Sequence, residues 1–185
     1  MSKAFSHDRV NTGKEEWLTP PEIIKVLGEF DLDPCAPITR PWDMAKNHYT
    51  INDHGLLQKW EGRIWLNPPY GNKTHDWLLK LANHGNGIAL TFARTETLMF
   101  FDCVWDKADA VFFFKGRLKF YHRDGSEGDT AGAPSILIAY GFDNVVSLKN
   151  SGLNGKFILL NEEYKVKLKE NEIKDNIVEE VSLFN

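Results

Sequence analysis

Asn67-Pro68-Pro69-Tyr70 is the stretch of this chain best equipped for chemistry. The Asn67 side chain brings an amide oxygen, the Pro68 carbonyl a second acceptor, and Tyr70 an aromatic ring. Two consecutive prolines fix φ and remove two backbone donors, so the tetrapeptide reads as a stiff hook. They leave the carbonyls of Asn67 and Pro68 without a continuing ladder. Two acceptors beside a flat ring suit a planar group with an exocyclic amine. Each acceptor takes one amine hydrogen, and Tyr70 stacks on the ring that bears the amine. Ile64-Trp65-Leu66 precedes the hook and Gly71 follows it. That places it at the carboxyl end of a strand, the edge where open α/β sheets build their sites.

The elements that hold such a hook are legible in the apolar pattern. Thr19-Pro20-Pro21-Glu22 reads as a helix start, with Thr19 as N-cap, prolines in the first turn and Glu22 at the capping-box position. The helix buries Ile23, Ile24, Val26 and Leu27. Phe30 to Asp33 is a short strand, and 34–59 is irregular with a short helix near Met44–His48. Gly62 to Asn67 is a strand, Asp76–Ala82 a helix with Trp77, Leu78 and Leu81 on one face, and Gly87–Phe92 a buried strand. Thr95–Trp105 is an amphipathic helix. Ala110–Lys115 and Leu118–His122 are strands, 124–132 a loop, and Ser135–Tyr140 and Phe157–Leu160 further strands. Strands alternating with helices, then a closing strand pair, predict an α/β fold: a mostly parallel sheet with an antiparallel edge. Residues 1–16 read as a flexible arm and 17–145 as the catalytic domain. Residues 146–185 add a strand and a charged tail packed on the same domain.

Several segments together resemble a known family. The hook matches the [DNS]PP[YFW] motif IV of S-adenosylmethionine-dependent amino-methyltransferases. In order along the chain stand Trp17-Leu18-Thr19-Pro20, Phe30-Asp31-Leu32-Asp33-Pro34-Cys35-Ala36, Trp60-Glu61-Gly62-Arg63-Ile64-Trp65, the hook, and Gly116-Arg117-Leu118-Lys119-Phe120. In that order they resemble the small phage-type DNA adenine-N6 methyltransferases, the phage Dam family, over roughly residues 15 to 141. The resemblance implies a Rossmann-like class I methyltransferase fold and S-adenosyl-L-methionine as cofactor. It also implies site-specific methylation of the N6 amine of DNA adenine, with the base flipped into a pocket lined by the hook. Asn67, Pro68, Pro69 and Tyr70 are then catalytic.

The same resemblance assigns cofactor contacts to Trp17, Thr19, Pro20, Asp33, Pro34, Cys35, Asp53 and Asn67. Asp33 ends the first strand, where it can hold the cofactor's ammonium or its ribose hydroxyls. The usual GxG is absent here and Pro37 follows Ala36, which removes the glycines that permit close backbone approach. The alternative is a strand ending in an Asp-Pro turn. Asp53 resembles the acidic motif III residue that reaches the cofactor's adenine amine; Asp followed shortly by Gly is also plain turn chemistry. Trp17-Leu18-Thr19-Pro20 resembles motif X, and equally a helix cap beside a buried Trp. Residues 115–123 interleave cations with aromatics. Alternation puts Arg117, Lys119, Tyr121 and Arg123 on one face and Leu118, Phe120 and His122 on the other. Arg117 and Lys119 suit DNA contact, and Phe120 resembles the aromatic that sandwiches the flipped base opposite Tyr70. An edge strand with Phe120 in the core is the rival reading. Arg94 and Glu96 follow the Gly87–Phe92 strand at the same sheet edge as Asn67; either can line the pocket, and an Arg–Glu pair holding the loop is the favoured reading.

Composition sets the outer limits. The chain has 185 residues, 42% hydrophobic and 12% aromatic, enough for one domain with a core. No apolar run approaches a membrane span of ~18 residues, and no signal peptide opens the chain. Cys35 and Cys103 stand far apart, which fits a cytoplasmic protein with no disulfide framework, in the bacterial host if phage-encoded. The histidines have no metal-ligand spacing. A net charge of −4 argues mildly against a general nucleic-acid coat protein but not against an enzyme with a local basic stripe. DNA is the expected partner and no membrane is; oligomeric state is unreadable. Two rivals stay open: the same chemistry on an RNA base or a protein glutamine, and a non-catalytic DNA-binding or anti-defence protein on the same scaffold.

Overall fold

A computed structural model of the chain describes residues 17–171. The proposed arm 1–16 and the tail beyond 171 lie outside the described residues. The chain forms α1 (Pro21–Leu27), β1 (Leu32–Asp33), β2 (Asn47–His48), a 3-10 turn (Ile51–Asp53) and β3 (Ile64–Leu66). There follow α2 (Thr74–His84), β4 (Gly87–Phe92), α3 (Leu98–Phe100) continuing as a π-helix (Phe101–Trp105), and β5 (Ala110–Phe114). The chain ends with β6 (Lys119–Tyr121), β7 (Glu127–Thr130), β8 (Ser135–Tyr140), α4 (Phe142–Lys149), β9 (Gly155–Leu159) and a helical stretch at 164–171.

Seven strands build one sheet in the order β2-β1-β3-β4-β8-β5-β9. β2, β1, β3, β4 and β5 run one way; β8 and β9 run the other. The expected mixed α/β, Rossmann-like architecture with an antiparallel edge is present. Alternation explains the layering. On one face Trp65, Ile88, Leu90, Phe112, Leu137 and Ala139 pack with Leu18, Ile23, Leu27, Val145 and Leu148. On the other, Ile64, Leu66, Ala89, Val111, Ile136 and Ile138 pack with Trp77, Leu78, Leu81, Phe100 and Val104. Successive residues of each strand serve opposite cores because side chains alternate across the pleat. Both faces are therefore covered by helices, as a parallel sheet requires.

The structure departs from the sequence reading in several places. Asn47–His48 is the edge strand β2, not part of a helix: it pairs in parallel with β1, with Asp33 beside His48. Glu127–Thr130, expected as loop, is β7, paired with β6 in a separate two-stranded ribbon. Thr19 caps nothing; Pro20 holds the N-cap position and no side chain caps α1. Within α1, Ile23 and Leu27 are buried whereas Val26 is exposed. The segment 95–105 holds one short α-turn and then a π-helix, and Phe142–Lys149, given no element, is α4. α4 spans position 145, where the catalytic domain was expected to end. β9 pairs with β5 inside the main sheet.

Candidate active site

β1 and β3 lie side by side, and their connections leave in opposite directions: β1 leads to β2 on one side, β3 to β4 on the other. That is a topological switch point, the place where open α/β sheets form a crevice outside the carboxyl ends of their strands. Asp33 ends β1, and Asn67 directly follows β3. The Cys35 thiol donates to the Asn67 carbonyl at 3.2 Å, which ties the two loops together.

The hook is held so that two acceptors stay unused. Asn67 Nδ2 donates to the Trp17 carbonyl at 3.2 Å and to Thr19 Oγ1 at 3.3 Å. Its Oδ1 is buried and has no partner. Along the backbone the Asn67 carbonyl is taken by Cys35 and the Pro69 carbonyl by the Thr74 hydroxyl at 2.9 Å. The Pro68 carbonyl between them accepts no hydrogen bond among the described residues. Thr74 Oγ1 also accepts from Gly71 N at 2.9 Å, which closes the turn onto α2. A buried acceptor without a donor costs about 1–3 kcal/mol. Asn67 Oδ1 is therefore a site that a ligand's N–H would satisfy.

Tyr70 stacks on Phe92, the last residue of β4, with ring centroids 4.2 Å apart and planes at 17°. Tyr70 as a whole remains 37% exposed. Phe92 backs the hook, a role that the sequence reading did not assign. The signal was available: a strand ending at Phe92 shares the carboxyl edge with Asn67.

Asp33 is only 4% exposed. Its Oδ1 accepts from Cys35 N at 3.1 Å. Burial pushes its carboxyl up to about 7, opposed by the Cys35 N–H and by the charge of Arg40. No ion pair reaches it among the described residues. A buried carboxylate short of a counter-ion suits a cation. Burial and the nearby Asp33 push the Cys35 thiol well above its usual range, so it is a neutral donor. Pro34 is buried, and a Cβ at Gly55 would collide with its carbonyl oxygen, so the 53–55 turn is pressed against the loop after β1.

Other expected residues sit differently. Asp53 closes a capping box: its Oδ2 accepts from Thr50 N at 2.8 Å and from the Thr50 hydroxyl at 2.7 Å. Those bonds hold its carboxyl below the usual value. Phe120 is 3% exposed and packs in the core with Leu18, Ile23 and Phe30, so its ring has no open face for a base. Arg117 and Lys119 are exposed, but the ribbon offsets them. Lys119 faces Glu127 at 3.4 Å, and Arg117 reaches the Ala131 carbonyl at 3.4 Å. Arg94 and Glu96 form no ion pair among the described residues. Trp17 rests against His122, with centroids 5.1 Å apart, and Pro20 is buried. Leu18 exchanges both backbone bonds with Tyr121, at 2.8 and 3.0 Å, which fastens the 17–20 strap to the ribbon.

No curated protein and no solved structure matches the chain. A sequence model of one family does, described as DNA N-6-adenine-methyltransferase (Dam), over residues 6–166. That match spans most of the 185 residues and includes every site residue discussed above. With the mixed sheet, the switch-point crevice and the hook at its edge, it establishes that the chain belongs to the DNA N-6-adenine-methyltransferase family.

Proposed function

We propose that the chain transfers a methyl group from S-adenosylmethionine to the N6 amine of an adenine flipped out of DNA and held at the hook. The observation that carries this is the pair of unused acceptors, Asn67 Oδ1 and the Pro68 carbonyl, beside the Tyr70 ring. An arylamine nitrogen is a poor nucleophile because its lone pair is delocalised into the ring. Acceptors on both amine hydrogens favour a pyramidal nitrogen and free that lone pair. Asn67 is neutral and takes no proton, so the proton leaves to water. Oδ1 is closed to solvent as described, so its neighbours must give way as the amine enters.

The crevice fits a cationic cofactor. Asp33 is a buried carboxylate with no ion-pair partner among the described residues, at the carboxyl end of β1. It would hold the ammonium group of S-adenosylmethionine, with the loop 34–36 and the Trp17 strap beside it. When bound, that cofactor supplies an activated methyl group; the protein supplies alignment and a preorganised field. Flipping costs a few kcal/mol, which Tyr70 offsets by stacking on the base while Phe92 backs it. Arg117 and Lys119 supply phosphate contacts from the ribbon.

Asn67→Ala tests the reading. It should lower kcat by ~10²–10³ and leave cofactor affinity within twofold, because the acceptor acts mainly in the transition state. Full activity in that variant would remove the core of the reading. Cofactor labelled in its methyl group, offered with DNA, RNA and protein, should mark N6-methyladenine in DNA. Label appearing on an RNA base or a glutamine amide would reassign the substrate, and absence of cofactor binding would favour a non-catalytic scaffold.

A further inference from the structure

We propose that Thr19 is a positioning residue that keeps the Asn67 amide turned so that its oxygen, not its nitrogen, meets the substrate amine. The inference rests on the acceptor role proposed for Asn67 and concerns what fixes that role. The two ends of a primary amide have nearly the same shape, and only their hydrogen bonds distinguish them. Turned by 180°, Asn67 would present N–H groups to an amine that also donates. An aspartate in this place would have two equivalent oxygens and no orientation to lose; the neutral amide does have one.

The 17–19 strap supplies that orientation. The Trp17 carbonyl can only accept, so the group 3.2 Å from it must be Nδ2. The Trp17 carbonyl thus sets the sense of the amide, and Thr19 Oγ1, accepting from the same Nδ2 at 3.3 Å, holds it there. Thr19 is 1% exposed, so water does not substitute for its hydroxyl. The hydroxyl caps no helix, because Pro20 occupies the N-cap of α1, and its one hydrogen bond among the described residues is to Asn67. The strap itself is fixed on one side by the Leu18–Tyr121 backbone pair and on the other by the buried Pro20. The catalytic amide thus takes its orientation from a segment 48 residues away in sequence.

Thr19→Val keeps the shape and removes the acceptor. In wild-type background it should lower kcat roughly five- to tenfold, with the KM for DNA within twofold. Thr19→Ser should restore kcat. In an Asn67→Ala background, Thr19→Val should change the residual rate by less than twofold, because no amide remains to orient. If Thr19→Val does not fold, the same comparison is made with Thr19→Ala against Thr19→Ser. A kcat within twofold of wild type overturns the proposal. So does failure of rescue by serine, or a further drop in the Asn67→Ala background. Failure of the underlying reading is separate: it appears as full activity in Asn67→Ala alone, whatever Thr19 does.

Discussion

Asn67 and Tyr70 divide the work at the hook, and the division is measurable. Tyr70 gives one ring face to Phe92 and keeps 37% of its surface exposed. Its hydroxyl has no hydrogen-bond partner among the described residues. The ring is therefore the useful part. Tyr70→Ala should reduce kcat/KM on a matched duplex more than on a mismatched or single-stranded oligonucleotide of the same sequence. A stacking contact is worth ~1–3 kcal/mol, and an unpaired base escapes much of the extrusion cost. Tyr70→Phe should be mild. Equal losses on all three substrates would move Tyr70 out of base holding and into chemistry or folding.

Arg63 shows how elements far from the crevice hold its walls. It precedes β3 and sits at the amino edge of the sheet, opposite the site. Its guanidinium donates to Asn144 Oδ1 of α4 at 2.6 Å and to the carbonyls of Glu29 and Leu27 at 2.9 Å each. It also lies 4.2 Å from the centre of the Phe30 ring. Leu27 ends α1, so one fork satisfies a helix terminus, anchors α4 and pins the start of β3. Arg63→Ala should destabilise the fold by about 2–4 kcal/mol in urea unfolding, because it strands the buried Asn144 Oδ1 and removes the bonds that tie β3 to the end of α1. Arg63→Lys should recover only part, since an ammonium cannot fork. A loss below about 0.5 kcal/mol would show that the network is decorative.

Burial of Asp33 links the site to the stability of the whole molecule. Its carboxyl sits at about 7 in the fold against an ordinary value near 4. Below about pH 4 the carboxyl is protonated in both states and adds no penalty. As pH rises from 4 to 7 the unfolded chain ionises first, so stability falls, and the penalty is complete above about 7. Asp33→Asn cannot ionise. Relative to wild type it should gain up to a few kcal/mol of unfolding free energy at pH 8 and little at or below pH 4. The same change should weaken cofactor binding. Wild-type and variant stability curves that run parallel from pH 4 to 8 would remove the buried-charge account.

Much of this protein is written locally. The hook, the strands Gly87–Phe92 and Ser135–Tyr140, and the Trp77/Leu78/Leu81 helix face follow from prolines and apolar periodicity, which act over a few residues. Both strands match in type and edges, and the helix, expected over Asp76–Ala82, runs Thr74–His84 with the same buried face. Placement of Asp33 and Asn67 at one crevice also follows, because both end parallel strands at the carboxyl edge. What only the tertiary fold settles is pairing and occupancy. Asn47–His48 is a strand because β1 offers it a ladder, not by propensity. Glu127–Thr130 is one because Lys119–Tyr121 folds back on it, despite Gly and Asp in its sequence. Thr19 leaves the helix cap because Asn67, 48 positions away, competes for its hydroxyl. Phe120 turns to the core because Leu18 and Ile23 meet it there. Each of these outcomes depends on a partner distant in the chain, and no local pattern encodes which partner arrives.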